Sequence, residues 1–599
     1  MRNQLVSLRA LMQKNHIDIY LVQTDDFHAS EYTGDYFKTR AYLTGFTGSA
    51  GTAVVTQTWA GCWTDGRYFL QAAQQLNESG FELMRQGEPD VPTIRSWLET
   101  HLKAGMVLGF DGRTVSANIW KQYTDIAEKA GATLNVDLDL IDAIWPDRPP
   151  LSAEPVFELG LEYTGQSRSE KIKQIRTEVR KLNGDAFLLS SLMDICWMLN
   201  IRGGDVACTP VVLSYLILTD KSVRLYINET TLSAEIRMAL ETDGVEIYPY
   251  SEILNALHEF PAGSHIVLNP DVVSCALYQA IPENCIKIEH KNPTELAKAI
   301  KNPVEVENFR KAHIKDGVAV TRFMYWLKHE IGKTPMDEIS VAEKLDSFRK
   351  EQEHYQGQSF HPIMAYGAHG AIVHYSATCE TCSELQPRSF FLSDTGGHYL
   401  EGTTDITRTY AMGPLSDKEK LLYTKVLIGH LRLGDAHFRY GCTGMQLDYL
   451  AHEPLWRMHL DYNHGTGHGV GYLLSVHEGP QGFYWNQRGT SQPAKLEPGM
   501  IISDEPGVYL ENEFGVRLEN LVVVCEDETN KYGRFMHLEY LTMVPWDLDA
   551  VDLSVMTEED KQLLDAYHQK VYQNISPYLS PEEAEWLKYA TRPVAEHTV

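Results

Sequence analysis

Residues 1–155 alternate two kinds of apolar pattern. The opening stretch M-R-N-Q-L-V-S-L-R-A-L-M-Q-K-N-H places its apolar residues as an amphipathic helix does. The runs that follow, I-D-I-Y-L-V, then A-G-C-W-T-D-G-R-Y-F-L-Q-A-A-Q-Q-L and later M-V-L-G-F-D, read as strands and helices in turn. That alternation predicts an α/β domain with helices on a mixed sheet. The proline-dense run from Trp145 to Pro155 reads as a linker. From about Ser167 the pattern repeats. I-Y-L-V-Q-T-D-D parallels A-F-L-L-S-S-L-M-D, and Y-L-T-G-F-T-G-S-A-G-T-A-V-V parallels W-M-L-N-I-R-G-G-D-V-A-C-T-P-V-V, so 156–302 is expected to be a second copy of the first domain.

The third region, 303–599, opens on Asn302-Pro303-Val304-Glu305, which supplies an N-cap, a proline at the first helical position and an acid at the third. A long helix towards Lys328 is predicted. Ser416 with Glu419, and Ser580 with Pro581 and Glu583, mark further helix starts that bracket β-like runs. The expected fold class is therefore multidomain, α/β followed by α+β.

Composition narrows the function. At 599 residues the chain exceeds a single core and suggests three or four domains. A formal net charge of −28 argues against a nucleic-acid partner, which would need a basic stripe. The N-terminus lacks the continuous apolar core of a signal peptide or membrane span, which makes the cytoplasm the expected location and a membrane partner unexpected. Nine cysteines do not describe a disulfide framework. Cys379 and Cys382 form one C-x-x-C with no second pair, expected in a surface loop as reduced bystanders. The glycine-rich G-F-T-G-S-A-G-T-A-V-V lacks the Lys-Ser/Thr of a phosphate loop and reads as a turn before a strand.

The candidate chemistry lies between Ser389 and Asn520. Asp394 and Asp405 flank a Thr-Gly-Gly turn between two β-rich runs, which predicts a hairpin bringing them together. Side chains alternate along a strand, so Asp405 shares a face with Thr407 and Thr409, while Ile406, Arg408 and Tyr410 point away. His468 sits in H-G-T-G-H-G-V-G, Glu505 in M-I-I-S-D-E-P-G and Glu519 in G-V-R-L-E-N-L-V-V-V. Four carboxylates and one imidazole suit a pair of Mn²⁺, Fe²⁺, Co²⁺ or Zn²⁺ ions better than a thiolate-rich structural zinc site would. Without cations, like charges ~4 Å apart repel by about 4 kcal/mol per pair at an effective dielectric near 20.

The segments D-T-G-G-H-Y-L-E-G-T-T-D-I-T-R-T, H-G-T-G-H-G-V-G-Y-L-L-S-V-H-E-G-P, S-D-E-P-G-V-Y and F-G-V-R-L-E-N resemble aminopeptidase P, the Xaa-Pro aminopeptidase family of the creatinase and methionine aminopeptidase (pita-bread) superfamily, in its long three-domain form. The one departure is Asp394-Thr395-Gly396 where that family often has Asp-Ser-Gly. The resemblance implies two creatinase-like N-terminal domains followed by a pita-bread catalytic domain. It implies that Asp405 and Glu519 bridge two divalent ions, manganese first among the candidates, that Asp394 completes one ion's site, and that His468 and Glu505 complete the other. Glu505 would also handle the proton of the attacking water.

His374, His464 and His477 match positions at which imidazoles line the substrate pocket, and Tyr509 and Arg517 match residues that support the carboxylates. His361, His369 and His398 match nothing assignable. The implied substrates are peptides with proline in the second position, and the implied assembly is a homodimer, with the segment after Pro545 as a candidate contact. A prolidase that takes only dipeptides shares the metal set, a methionine aminopeptidase is usually much shorter, and a peptide-binding module without catalysis would typically have lost ligands.

Overall fold

The computed structural model describes residues 2–486 and 493–594; the expected third domain's last residues, 595–599, lie outside them. The chain divides into two compact units, one made of Met1–Leu159 with Gln166–Thr294, the other of Gly160–Gly165 with Glu295–Val599.

The first unit contains two six-stranded sheets with one plan. Strands Ile19–Gln23 (β1), Thr52–Thr56 (β2), Ala60–Thr64 (β3), Glu82–Arg85 (β4), Val107–Gly109 (β5) and Thr133–Asn135 (β6) line up as β4-β3-β2-β1-β5-β6. Strands Ala186–Leu189 (β7), Ser214–Thr219 (β8), Val223–Ile227 (β9), Val245–Pro249 (β10), His265–Leu268 (β11) and Ile286–Glu289 (β12) line up as β10-β9-β8-β7-β11-β12. β1 runs antiparallel to β2 and parallel to β5, and β7 treats β8 and β11 the same way. The repeated strand order matches the repeat read from the sequence.

Helices cover both faces of the first sheet because its side chains alternate. Tyr20 and Val22 join the core covered by Leu5, Leu8 and Met12 of the helix Asn3–Lys14 (α1), whereas Ile19 and Leu21 join Trp97, Tyr123 and Ile126 on the other face. The glycine-rich stretch before β2 is a turn: a Cβ on Gly51 would lie 2.9 Å from the Trp63 carbonyl oxygen.

In the second unit the helix Pro303–Glu330 (α2) starts where expected. The Asn302 side chain accepts from the backbone N–H groups of Val304 and Glu305, and Glu305 reaches back to the Asn302 N–H at 3.0 Å. The same reciprocal cap opens Asp417–Gly434 (Ser416 with Glu419), Glu558–Ile575 (Thr557 with Asp560) and Pro581–Ala590 (Ser580 with Glu583).

Strands Ile363–Tyr366 (β13), Phe390–Thr395 (β14) and Ile406–Ala411 (β15) form one sheet; α2 and the helix Glu338–Lys350 (α3) pack on it through Phe323, Leu327 and Leu345 against Phe391, Ile406 and Tyr410. A six-stranded sheet includes Gly467–Gly469 (β16), Glu478–Phe483 (β17), Ile501–Asp504 (β18) and Asn520–Asn530 (β19), and a separate pair joins Gly507–Leu510 (β20) to Phe514–Arg517 (β21). No described helix is long and apolar enough to cross a membrane. None of the nine cysteines forms a disulfide among the described residues; Cys379 is exposed and Cys382 half-buried.

One expectation needs correcting. β14 and β15 do pair antiparallel, with Asp394 opposite Thr407, but no tight hairpin joins them. The connection makes two short strands, Gly397–Tyr399 and Gly402–Thr403, that pair in another sheet with Tyr355–Gln358. Gly396 permits the crowding at this departure point, since a Cβ there would lie 2.0 Å from the Thr404 carbonyl oxygen and 2.1 Å from Ser359 Oγ.

Candidate metal centre

Strand register brings the acidic side chains together. β18 pairs with β19 so that Asp504 faces Asn520, and the residues one step beyond, Glu505 and Glu519, leave adjacent ends of that ladder. In the other sheet Asp394 faces Thr407 and Asp405 immediately precedes β15. The Glu519 N–H donates to the Thr407 carbonyl at 3.1 Å, which ties the two strand ends together. Asp405, His468 and Glu519 each offer a ligand atom within 4.8 Å of the others. Glu505 Oε1 and Asp405 Oδ2 each lie 3.4 Å from His468 Nε2.

Hydrogen bonds hold each group. His468 Nδ1 lies 2.9 Å from the Gly469 carbonyl and donates to it, which leaves Nε2 towards the carboxylates. The His468 N–H donates to Ser503 Oγ at 2.9 Å, and that hydroxyl donates to Glu505 Oε1 at 3.2 Å. Thr407 Oγ1 donates to Glu519 Oε2 at 2.6 Å. Arg517 Nη2 donates to Asp394 Oδ2 at 2.5 Å and Arg517 Nη1 to the Tyr509 hydroxyl at 2.9 Å; that hydroxyl lies 2.8 Å from His464 Nε2. With His464 Nδ1 donating to the Gly465 carbonyl at 2.8 Å, its Nε2 accepts from Tyr509. His464 is therefore linked to Asp394 through Tyr509 and Arg517.

The His477 ring stands edge-on to that of His468, centroids 4.3 Å apart at 82°. His374 is half-buried just after the short turn Gly367–Ala371, where Gly370 lies against Gly515 of β21.

Electrostatics mark the cluster as short of positive charge. Burial, then the charges of Asp405, Glu505 and Asp394, push Glu519 well above the carboxylate range. Burial also raises Asp394 against the opposing Arg517, and raises Glu505 against the opposing His468. Burial alone would lower the His468 imidazole, but Asp405 and Glu505 lift it to about 9. Asp394 Oδ1 is buried with no hydrogen-bond partner. Buried carboxylates with an orphaned oxygen and one imidazole fit hard or borderline divalent cations, which Asp405, His468 and Glu519 would hold, flanked by Asp394 and Glu505.

Sequence patterns assign no role to Thr407, Ser503 or Arg408. The period-two alternation does carry the signal for Thr407 and Thr409, whose hydroxyls reach Glu519 and the Arg517 carbonyl. Arg408, on the opposite face, is buried against the Trp546 ring at 3.6 Å and donates to the carbonyls of Glu519 and Val544 and to Asn520 Oδ1. Nothing local in the sequence marks that role.

Comparison with known proteins gives a family for this geometry. Residues 4–143 and 147–305 each match the creatinase/prolidase N-terminal domain, 307–526 match metallopeptidase family M24, and 534–594 match the C-terminal region of that peptidase family. A probable Xaa-Pro aminopeptidase P of Neurospora crassa is 38% identical across 99% of this chain and 89% of its own length. The chain belongs to the aminopeptidase P branch of metallopeptidase family M24.

Among other relatives, aminopeptidase P1 of Lotus japonicus is 36% identical over 99% of this chain and its whole length. The crystal structure of an X-prolyl aminopeptidase from Caenorhabditis elegans, described as a cytosolic enzyme with a di-nuclear active site, superimposes with a TM-score of 0.93 at 33% identity over 99% of both chains. A prolidase from Pyrococcus horikoshii, 24% identical with a TM-score of 0.50, covers 63% of this chain and shares the fold. The M24 membership makes this chain a metal-dependent peptidase.

Proposed function

We propose that this enzyme hydrolyses the N-terminal Xaa-Pro bond, releasing the first residue from peptides with proline in the second position. The observation that carries the reading is the group of buried Asp405 and Glu519 with half-buried His468, flanked by Asp394 and Glu505, in a chain of which 99% aligns with Xaa-Pro aminopeptidases. Two divalent ions, manganese in this proposal, would supply the Lewis acidity that lets water attack an amide near neutral pH.

The chain's own residues divide the remaining work. Glu505 is the acid most open to solvent, its side chain 17% exposed against 6% for Asp405 and 11% for Asp394. That exposure supports the role given it in this proposal, to take a proton from the attacking water and return it to the leaving imino nitrogen. His477, against the His468 ring, and His374 donate to the scissile carbonyl as negative charge develops there. His464 acts through Tyr509 and Arg517, holding Asp394 and contributing an imidazole at the pocket wall. The proposed assembly is a homodimer and the proposed location the cytoplasm, in keeping with the cytosolic relative from Caenorhabditis elegans.

The test compares Xaa-Pro-Yaa tripeptides with Xaa-Pro dipeptides on protein supplied with manganese, alongside metal analysis. Cleavage of tripeptides by protein holding close to two ions per chain is expected. Cleavage of dipeptides only would move the assignment to a prolidase, and one ion or none would remove the dinuclear reading.

A further inference from the structure

Behind Asp394 and Asp405 lies a buried ion pair that touches the neighbour of each. Asp316 of α2 and Arg349 of α3 are 0% and 2% exposed. Arg349 Nε donates to Asp316 Oδ1 at 2.7 Å and Nη2 to Oδ2 at 3.1 Å, a two-point contact that fixes the guanidinium plane. Two threonine hydroxyls join the pair. Arg349 Nη2 also donates to Thr395 Oγ1 at 3.0 Å, and Thr404 Oγ1 donates to Asp316 Oδ2 at 2.6 Å. Thr395 directly follows Asp394, and Thr404 directly precedes Asp405. The Tyr399 hydroxyl donates to Asp316 Oδ1 at 3.1 Å, and the Gly397 N–H donates to Thr404 Oγ1 at 2.9 Å, so the strands that interrupt the β14–β15 connection are held by the same pair.

We propose that the Asp316–Arg349 pair, acting through the hydroxyls of Thr395 and Thr404, is a positioning device that holds the Asp394 and Asp405 carboxylates at metal-binding spacing before an ion arrives. The proposal rests on the dinuclear reading above. The physical need is plain: carboxylates gathered without cations repel, so their backbones drift apart unless something other than the metal fixes them. An ion pair sealed inside the protein is suited to this because both partners are anchored on helices and neither can trade its partner for water. Outer groups that orient metal ligands commonly contribute about 10- to 100-fold in metal affinity.

The experiment uses the full chain stripped of metal by chelation and titrated with Mn²⁺ by calorimetry, in four variants: Thr395→Val, Thr404→Val, Thr395→Ser and Thr404→Ser. Valine keeps the volume and removes the hydroxyl; serine keeps the hydroxyl. Each valine variant is expected to weaken Mn²⁺ binding by about tenfold or more, while each serine variant stays within about threefold of the parent and kcat at saturating Mn²⁺ changes little.

Circular dichroism and thermal melts establish that each variant is folded, and Thr395→Val alone suffices if Thr404→Val does not fold. Lowered Tm in the valine variants with unchanged Mn²⁺ affinity would make the pair a purely structural brace and overturn the proposal. So would serine variants as weak as valine, because the hydroxyl would then not be the active element. A parent chain that binds no divalent ion would instead bring down the dinuclear reading on which the proposal stands, an outcome the parent titration alone reveals.

Discussion

Glu478 and Glu519 are both buried in the catalytic unit, 4% and 1% exposed, yet they meet opposite surroundings. Glu478 is met by two lysines: Lys298 Nζ lies 2.7 Å from its Oε2, and Lys301 Nζ contacts its Oε1. Burial pushes the Lys301 ammonium down and Glu478 opposes that, as expected of a pair whose charges answer each other. Glu519 instead faces Asp405, Glu505 and Asp394, and its nearest donor is the neutral Thr407 hydroxyl. Two lysines thus answer Glu478, whereas no lysine meets the four clustered acids among the described residues, where Arg517 on Asp394 and the His468 imidazole are the positive groups in contact. That suits a metal site, because a lysine in that place would compete with the ion.

That contrast can be broken at either end. Asp405→Asn removes a carboxylate from the uncompensated group and should cut kcat/KM by at least about 10³-fold, matching several kcal/mol of lost charge stabilisation, with metal content falling below two per chain. Metal analysis with steady-state kinetics checks it; full metal content and near-normal turnover would undo the ligand assignment. Lys301→Met acts on the compensated group. It should cost roughly 3–5 kcal/mol of stability in denaturant unfolding while metal content stays normal, because it strips a partner from a buried charge rather than a ligand from an ion.

A pair of histidines sharpens the comparison inside one motif. His468→Ala should lose metal and activity together, whereas His477→Ala should keep its metal and lose about 10²-fold in kcat, the scale of one transition-state donor. Similar metal loss in both variants would make His477 structural.

The smallest effect concerns a buried imidazole outside this group of acids. His568 accepts the Trp546 N–H at 3.1 Å, and burial, followed by the Arg408 and Arg592 charges, lowers it to about 3. Between that value and the ordinary pKa of about 6.5 the unfolded chain binds a proton that the native one refuses, so stability rises with pH across this window and is lost as pH falls. The expected slope from this group is roughly 1 kcal/mol per pH unit below about pH 6. His568→Gln should flatten that limb of the stability–pH curve, and an unchanged limb would assign the acid sensitivity elsewhere.

Helix starts were legible in the sequence because their physics is local. Asn302 with Glu305 and Ser416 with Glu419 satisfy each other's backbone within three residues, and the repeated alternation of the first 300 residues needed only strand and helix periods to reveal two copies of one sheet. The facing of Thr407 and Thr409 likewise followed from the period of two.

What the tertiary structure decided was how distant residues meet. Thr407 reaches Glu519 across 112 positions, Arg517 reaches Asp394 across 123, and Lys301 reaches Glu478 across 177. Even Asp394 and Asp405, eleven apart, are joined through strands of a different sheet rather than a simple turn, and the Thr395 and Thr404 hydroxyls at the two ends of that connection meet Arg349 and Asp316 from two helices. A sequence by itself determines which segments bury an apolar face and where their ends are capped, since those free energies depend on near neighbours. Which acids come together, and which of them are left without a countercharge, depends on strand register and helix packing, and these exist only once the chain has folded.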